Sequence, residues 1–232
     1  MKFHYNNLIF ITLKQWNKMN SFTKILFSSI LIAGLSGCVS TRGLVSLEGP
    51  VAPLSSEASA SKVAVIKIIE DMRVFEEKPK QANIPSLKGG VHKASELDKA
   101  KAIARKRNGY GKAMGDILLK DETVALVLQK RIESALLHAG YQVVPASEAD
   151  HPDLELTVKI EKFWSWMQPG FSYITLNTEI ETEIYDAASP NKPIHTYIKI
   201  SKPTALATGS KWISTMNDAL TDYEKRLIDQ IK

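Results

Sequence analysis

Leu154-Glu-Leu-Thr-Val-Lys-Ile-Glu-Lys-Phe163 alternates apolar with polar residues: Leu154, Leu156, Val158 and Ile160 on one side, Glu155, Thr157, Lys159 and Glu161 on the other. Successive side chains of a strand point to opposite faces, so a period of two predicts a strand with one buried and one wet face. Residues 173–185 repeat the pattern, placing Ile174, Leu176, Ile180 and Ile184 inward and Glu179, Glu181 and Glu183 toward water. Residues 194–200 give a third such strand. Gln168-Pro169-Gly170 and Ser189-Pro190-Asn191 break the runs, which predicts antiparallel strands joined by turns.

Working outward, Lys-Val-Ala-Val-Ile-Lys-Ile-Ile-Glu at 62–70 is a dense β-branched run of the kind found in a central strand. Residues 121–139 carry Val124, Val127, Leu128, Ala135 and Leu136 on one helical stripe. Asp121 is the expected N-cap of that helix, and Gly140 its left-handed terminator. Residues 141–144 begin a short strand, and 214–231 form a last helix presenting Met216, Leu220, Tyr223 and Leu227 to the sheet. The predicted class is α/β, of the α+β kind. A twisted, largely antiparallel sheet of about five strands carries two main helices on one face.

Between the first strand and first main helix, residues 71–119 form a long insert. Pro79, Pro85, Gly89 and Gly90 predict irregular chain, followed by a helix capped by Ser95 and running to Arg107. The insert is basic: 62–112 hold 13 Lys and Arg against 6 Asp and Glu. Such asymmetry predicts a polyanion contact or docking of the insert on the more acidic body.

The N-terminal region reads as an export signal. Residues 25–35, Ile-Leu-Phe-Ser-Ser-Ile-Leu-Ile-Ala-Gly-Leu, are apolar but too short to span a bilayer, which needs roughly 20 residues. Leu35-Ser-Gly-Cys38 follows and resembles the lipobox of bacterial lipoproteins. That resemblance implies cleavage between Gly37 and Cys38, diacylglycerol on the Cys38 thiol and an acyl chain, such as palmitate, on the new amino terminus. The expected divisions are a signal peptide at 1–37, a lipidated flexible tether at 38–61 and one periplasmic domain at 62–232. Met19 opens a conventional signal peptide, so translation from either Met1 or Met19 leads to the same product. Val39 and Ser40 follow the cysteine with no Asp, the sorting pattern of outer-membrane delivery. Lys2, Lys14, Lys18 and Lys24 all precede Cys38 and no acid does, so the remainder is nearly neutral although the whole chain is +5. Export excludes nucleic acid as a partner, and a single cysteine excludes an internal disulfide or a multi-thiolate metal centre.

Other motifs are weaker. Gly109-Tyr-Gly-Lys-Ala-Met-Gly115 imitates a dinucleotide loop but is not preceded by an expected strand, so it reads as a turn. Arg105, Lys106 and Arg107, with Tyr110 and Lys112, form a candidate surface for an acidic partner, phosphate or lipid headgroups, or else the solvated end of a helix. Phe163, Trp164, Trp166, Phe171 and Tyr173 crowd one hairpin turn, either as a protein-binding or interfacial patch or as a cap on the core. His92, His138, His151 and His195 are isolated, and no nucleophile sits in a recognisable catalytic pattern. An enzymatic reading would need His92, Tyr110 and Asp116 gathered in one cleft. The expectation is a protein without catalytic residues, metal or cofactor beyond its lipid.

Asp71-Met-Arg-Val-Phe-Glu, Ile84-Pro-Ser-Leu87, the basic Gly-Tyr-Gly segment from Ala104 to Asp116, and a helix ending in Ala139-Gly-Tyr141 resemble the YajG-like proteobacterial lipoproteins. The likeness covers residues 62–232, and the basic segment marks a longer-insert subgroup. It implies an outer-membrane lipoprotein and transfers no active site. The leading functional expectation is a non-enzymatic scaffold or adaptor of an envelope assembly, such as a secretion-system outer-membrane core. The alternative is a carrier or sensor of a small envelope ligand, lipid or glycan, which requires an apolar pocket.

Overall fold

The computed structural model describes residues 42–50, 62–108 and 110–231. Cys38, the apolar run before it and most of the expected tether lie outside the described residues. The spine of the body is β6 (Leu154–Pro169), the alternating stretch prolonged through the tryptophans. One edge of β6 pairs along its length with β7 (Ile174–Asp186), antiparallel, and β7 pairs with β8 (Ile194–Thr204). The other edge of β6 is shared by two parallel strands. Its first half takes β2 (Lys62–Asp71), and its second half takes β3 (Ala102–Arg107) through Ala104 opposite Ser165.

Beyond β2 lies the short β5 (Tyr141–Val143), parallel to it. Beyond β3 lie β4 (Ala113–Leu119), antiparallel, and β1 (Gly43–Val45), parallel to β4. The sheet therefore has eight strands where the sequence pattern predicted about five. Four of its pairings are parallel, so it is less antiparallel than expected.

Two of the extra strands, β3 and β4, come from the insert. Ser95 does cap a helix, accepting Asp98 N–H at 3.0 Å, but α1 (Glu96–Lys101) ends after six residues and the chain runs straight into β3. Ala102, Ile103 and Ala104 are buried on both faces of the sheet, and that burial outweighs the helix propensity of Ala and Lys. The third extra strand is β1, which lies inside the expected tether. At least this part of the segment is ordered.

A bulge decides which side chains face which layer. Ile160 pairs with Thr182 and Lys162 with Glu181, leaving Glu161 as an extra residue in β6. An inserted residue inverts the parity of everything after it. Leu156, Val158 and Ile160 join Phe163 and Met167 in the main core, while Trp164 and Trp166 turn to the opposite face.

The main core lies between the sheet and two helices, α2 (Val124–His138) and α3 (Gly209–Ile231). Thr123, not Asp121, caps α2, its hydroxyl accepting Leu126 N–H at 3.3 Å. Gly140 follows with φ 89°, the left-handed terminator expected there. α3 begins five residues before the predicted Ser214, and its Trp212 is buried. Tyr223 lies fully buried beneath β7 and bonds Thr182 at 2.9 Å. Burial holds its phenol well above the usual range, against the pull of that bond.

Candidate functional site: the insert and the open face of the sheet

The face away from the helices carries the insert. Leu87, Ala102, Leu118, Trp164 and Trp166 form a second, smaller core there, with Phe75, Ala82 and Ala94 against it. Trp164 donates from Nε1 to the Ala82 carbonyl at 3.1 Å and meets Phe75 edge-on, ring centroids 6.1 Å apart. The tryptophans read as a candidate contact patch are therefore buried, and what covers them is the insert itself.

Arginines fasten this lid. Arg73 plugs the gap where β6 exchanges β2 for β3, donating to the carbonyls of Ala102 (2.6 Å), Phe163 (3.1 Å) and Lys99 (2.9 Å). Both of its remaining donors hold Asp71 at 2.7 Å. Arg105 donates to Ser86 and to the Met114 carbonyl and lies 3.9 Å from Asp116. Arg107 bonds the carbonyls of Pro79, Lys80, Gln81 and Gly111. Backbone carbonyls without strand partners are costly when covered, and a planar guanidinium with five donors suits them. The Arg105-Lys106-Arg107 run is thus a strand with both arginines turned into the molecule, not the exposed end of a helix. Burial lowers the pKa of both guanidinium groups, with Asp116 opposing that at Arg105.

Asp116 is fully buried and accepts Lys88 N–H at 2.8 Å and Arg42 at 3.4 Å. Burial raises its pKa, while Lys88, Arg105 and Arg42 pull it down. Arg42 also bonds Asp98 at 2.9 Å, so the first described residue of the chain is tied to α1 and β4 together. Tyr110 and His92 face solvent while Asp116 is sealed beneath arginines, so the three are not gathered in one cleft.

Beside the insert, the open face of β7 and β8 is lined with paired charge. The alternation predicted Glu179, Glu181 and Glu183 toward water; they share the face opposite the main core, but Glu179 is buried and Glu181 and Glu183 are half-buried among neighbouring side chains. Glu181 receives Lys162 at 2.7 Å and His195 at 2.8 Å. Glu179 receives Lys199 at 2.9 Å and Tyr197 at 3.0 Å. Glu183 bonds Tyr185. Lys199 stands 5.3 Å above Trp166 and Lys162 5.3 Å above Tyr197, so the cations also cover aromatic faces. The oxygens of Glu181 are both taken by neighbours, which leaves it poorly placed to act as a base.

A further charged cluster joins the helices. Arg131 on α2 donates to Glu224 on α3 at 2.8 Å, Ser134 bonds the other Glu224 oxygen at 2.5 Å, and all three are buried. Arg131 also reaches the carbonyls of Glu48 and Gly49, and Glu48 N–H donates to Asn217. Sequence reasoning gave no site role to Arg42, Arg73 or Arg131, whose polar and charged sequence neighbours do not signal an inward turn. Of the predicted contact residues, Tyr110, Lys112 and Phe171 are exposed, each on a turn. Among the described residues no group of His, Cys, Asp and Glu is placed to hold a metal ion, and no helix is long and apolar enough to cross a membrane.

No family model matches the chain and no curated protein matches it, so the YajG-like resemblance rests on the quoted residues alone. Among solved structures, the chain is similar to a Xanthomonas campestris protein of family DUF330, at 11% identity and TM-score 0.48, covering 80% of this chain and 92% of that one. It is similar to a minor lipoprotein from Acinetobacter baumannii at 14% identity and TM-score 0.33, covering 45% and 80%. Lipoprotein GNA1162 from Neisseria meningitidis matches at 11% identity and TM-score 0.31, covering 72% and 97%.

Proposed function

We propose that the chain is a lipoprotein acylated on Cys38 and held on the outer membrane, where its body serves as a non-enzymatic adaptor in an envelope assembly. The supporting observation is how the chain enters the body. Only three residues separate Cys38 from Arg42, and from Arg42 to Gly49 the chain is fixed by β1, by the Asp98 and Asp116 carboxylates, and by Arg131 and Asn217. An acyl anchor at Cys38 would hold an ordered domain close to the lipid instead of a domain on a long leash. Each buried methylene of that anchor contributes about 0.8 kcal/mol, and several chains together give stable attachment.

The carrier reading needs a sizeable apolar pocket. The cleft lined by Leu136, Leu154, Leu156, Ile184, Ile194 and Ile231, with Asp186, Ser189 and Lys192 also in its wall, holds about 190 Å³. That is below the roughly 300–1,000 Å³ of small-molecule sites. Ile68 of β2 and Met72 and Val74 just beyond its end instead stand exposed, where an adaptor could receive a protein.

The test is intact mass and alkyne-palmitate labelling of the product from envelopes, with photo-crosslinking from Met72 and Val74 in living cells. The expected result is acyl mass on Cys38, lost in Cys38→Ser, and discrete protein adducts. Retention of residues 1–37 would end the lipoprotein reading, and an acylated chain without adducts would end the adaptor reading.

A further inference from the structure

Strand register defines which loops share an end of the sheet. One line across it runs through Gly43, Ile117, Ala104, Ser165, Thr178 and Ile200. Strand directions then place three connections beyond this line on the same side: the β3–β4 turn at 108–112, the β6–β7 turn at 170–173 and the β8–α3 connection at 205–208. β1 runs away from that side, so Gly43 is its end nearest the three connections. Cys38 precedes Arg42 by four residues. Four residues of chain span at most about 14 Å, which confines Cys38 to the neighbourhood of Arg42 whatever path it takes.

The three connections share a composition. Each ends in an exposed apolar or aromatic side chain: Tyr110 at 97% exposure, Phe171 at 107% with Tyr173 at 56%, and Leu206 at 68%. A single exposed apolar side chain is ordinary on a protein surface, but here three connections at one end of the sheet each carry one. These connections, with Pro169 before the second and the first turn of α3 after the third, contain Lys112 and Lys211, both exposed, and no Asp or Glu. The loops are firm. The Asn108 side chain accepts Tyr110 N–H at 3.1 Å and Lys112 N–H at 2.9 Å, and Gly170 N–H donates to the Tyr173 carbonyl at 2.9 Å.

Aromatic rings with one wet end suit the boundary between headgroups and acyl chains, and lysines suit anionic headgroups. We propose that this end of the sheet sits in the headgroup layer of the leaflet that holds the Cys38 acyl chains, with Tyr110, Phe171 and Leu206 as wedges and Lys112 and Lys211 on lipid phosphates. The inference rests on the lipoprotein reading above. It turns a tethered domain into an oriented one, with the β7–β8 turn pointing away from the membrane.

Acylated Cys38 leaves no free thiol, so single cysteines can be labelled with a polarity-sensitive fluorophore in the mature lipidated protein. Tyr110→Cys, Phe171→Cys and, at the far end, Ser189→Cys chains are reconstituted into vesicles containing phosphatidylglycerol, with acyl-brominated lipid as quencher. Probes replacing Tyr110 and Phe171 are expected to shift to the blue and to be quenched several-fold more than the probe replacing Ser189. Adding Lys112→Glu and Lys211→Glu is expected to reduce the shift to that on purely zwitterionic vesicles. Equal quenching at all three positions, in protein that carries acyl mass and floats with the vesicles, would overturn the orientation and leave the anchor standing. A product without acyl mass would overturn both.

Discussion

Arg73 makes five side-chain hydrogen bonds from a site without solvent access. Replacing it with Met strands the Ala102 and Phe163 carbonyls and unpairs Asp71, and is expected to cost about 3 kcal/mol, read as a lower urea midpoint. Arg73→Lys keeps the charge but not the planar fork, so it should recover only part of the loss. Glu181 offers a smaller, pH-dependent effect. Burial raises its pKa, but the bonds from Lys162 and His195 together take it below its ordinary 4.5. A carboxylate with a depressed folded pKa stabilises above its unfolded value, and the gain is lost as pH falls through the folded value. The wild-type advantage over Glu181→Gln should be about 0.5–1 kcal/mol at neutral pH, since the partners are half exposed, and should disappear as pH falls below 4.5. A gap that persisted in acid would show that packing, not charge, sets it.

At the scale of elements, two caps can be told apart by mutation. Thr123→Ala should destabilise by about 1 kcal/mol, whereas Asp121→Ala, outside the cap position, should change little in thermal unfolding. Between the helices, Glu224→Ala leaves Arg131 buried without its partner and is expected to cost about 3–5 kcal/mol. Arg131→Met with Glu224→Leu should restore most of it in the same denaturation series, because removing both charges also removes their desolvation cost. β6, β7 and β8 were legible because period-two alternation persists through residues 154–163, 173–185 and 194–200. β3 was not, since Ala-Ile-Ala-Arg-Lys-Arg has no period that separates strand from helix, and a genuine Ser95 cap precedes it. β1 is three residues long, too short for any pattern. Trp164 and Trp166 were placed ambiguously because the Glu161 bulge reverses the alternation, and nothing in Lys-Ile-Glu-Lys-Phe announces an inserted residue.

Across the whole molecule, the insert behaves as a lid clamped by Arg105 and Arg107. Reversing both to Glu should open residues 76–90 to hydrogen exchange while leaving β7 and β8 protected, since those strands touch neither arginine. Protection unchanged in 76–90 would mean that the tryptophans alone retain the lid. The candidate surface was legible only in outline: basic and aromatic residues were recognised, but which of them bond inward depends on pairings between segments 20 to 90 residues apart. β1 carries one more consequence. It lies parallel to β4 and is entered from the end nearest Cys38, so tension on that cysteine runs along the strand. Its bonds to β4 would then be loaded together in shear instead of parting one by one as in a zipper, with Arg131 and Asn217 gripping the chain just behind. A protein fastened by that cysteine would resist being dragged by its partners at the very place where it is held.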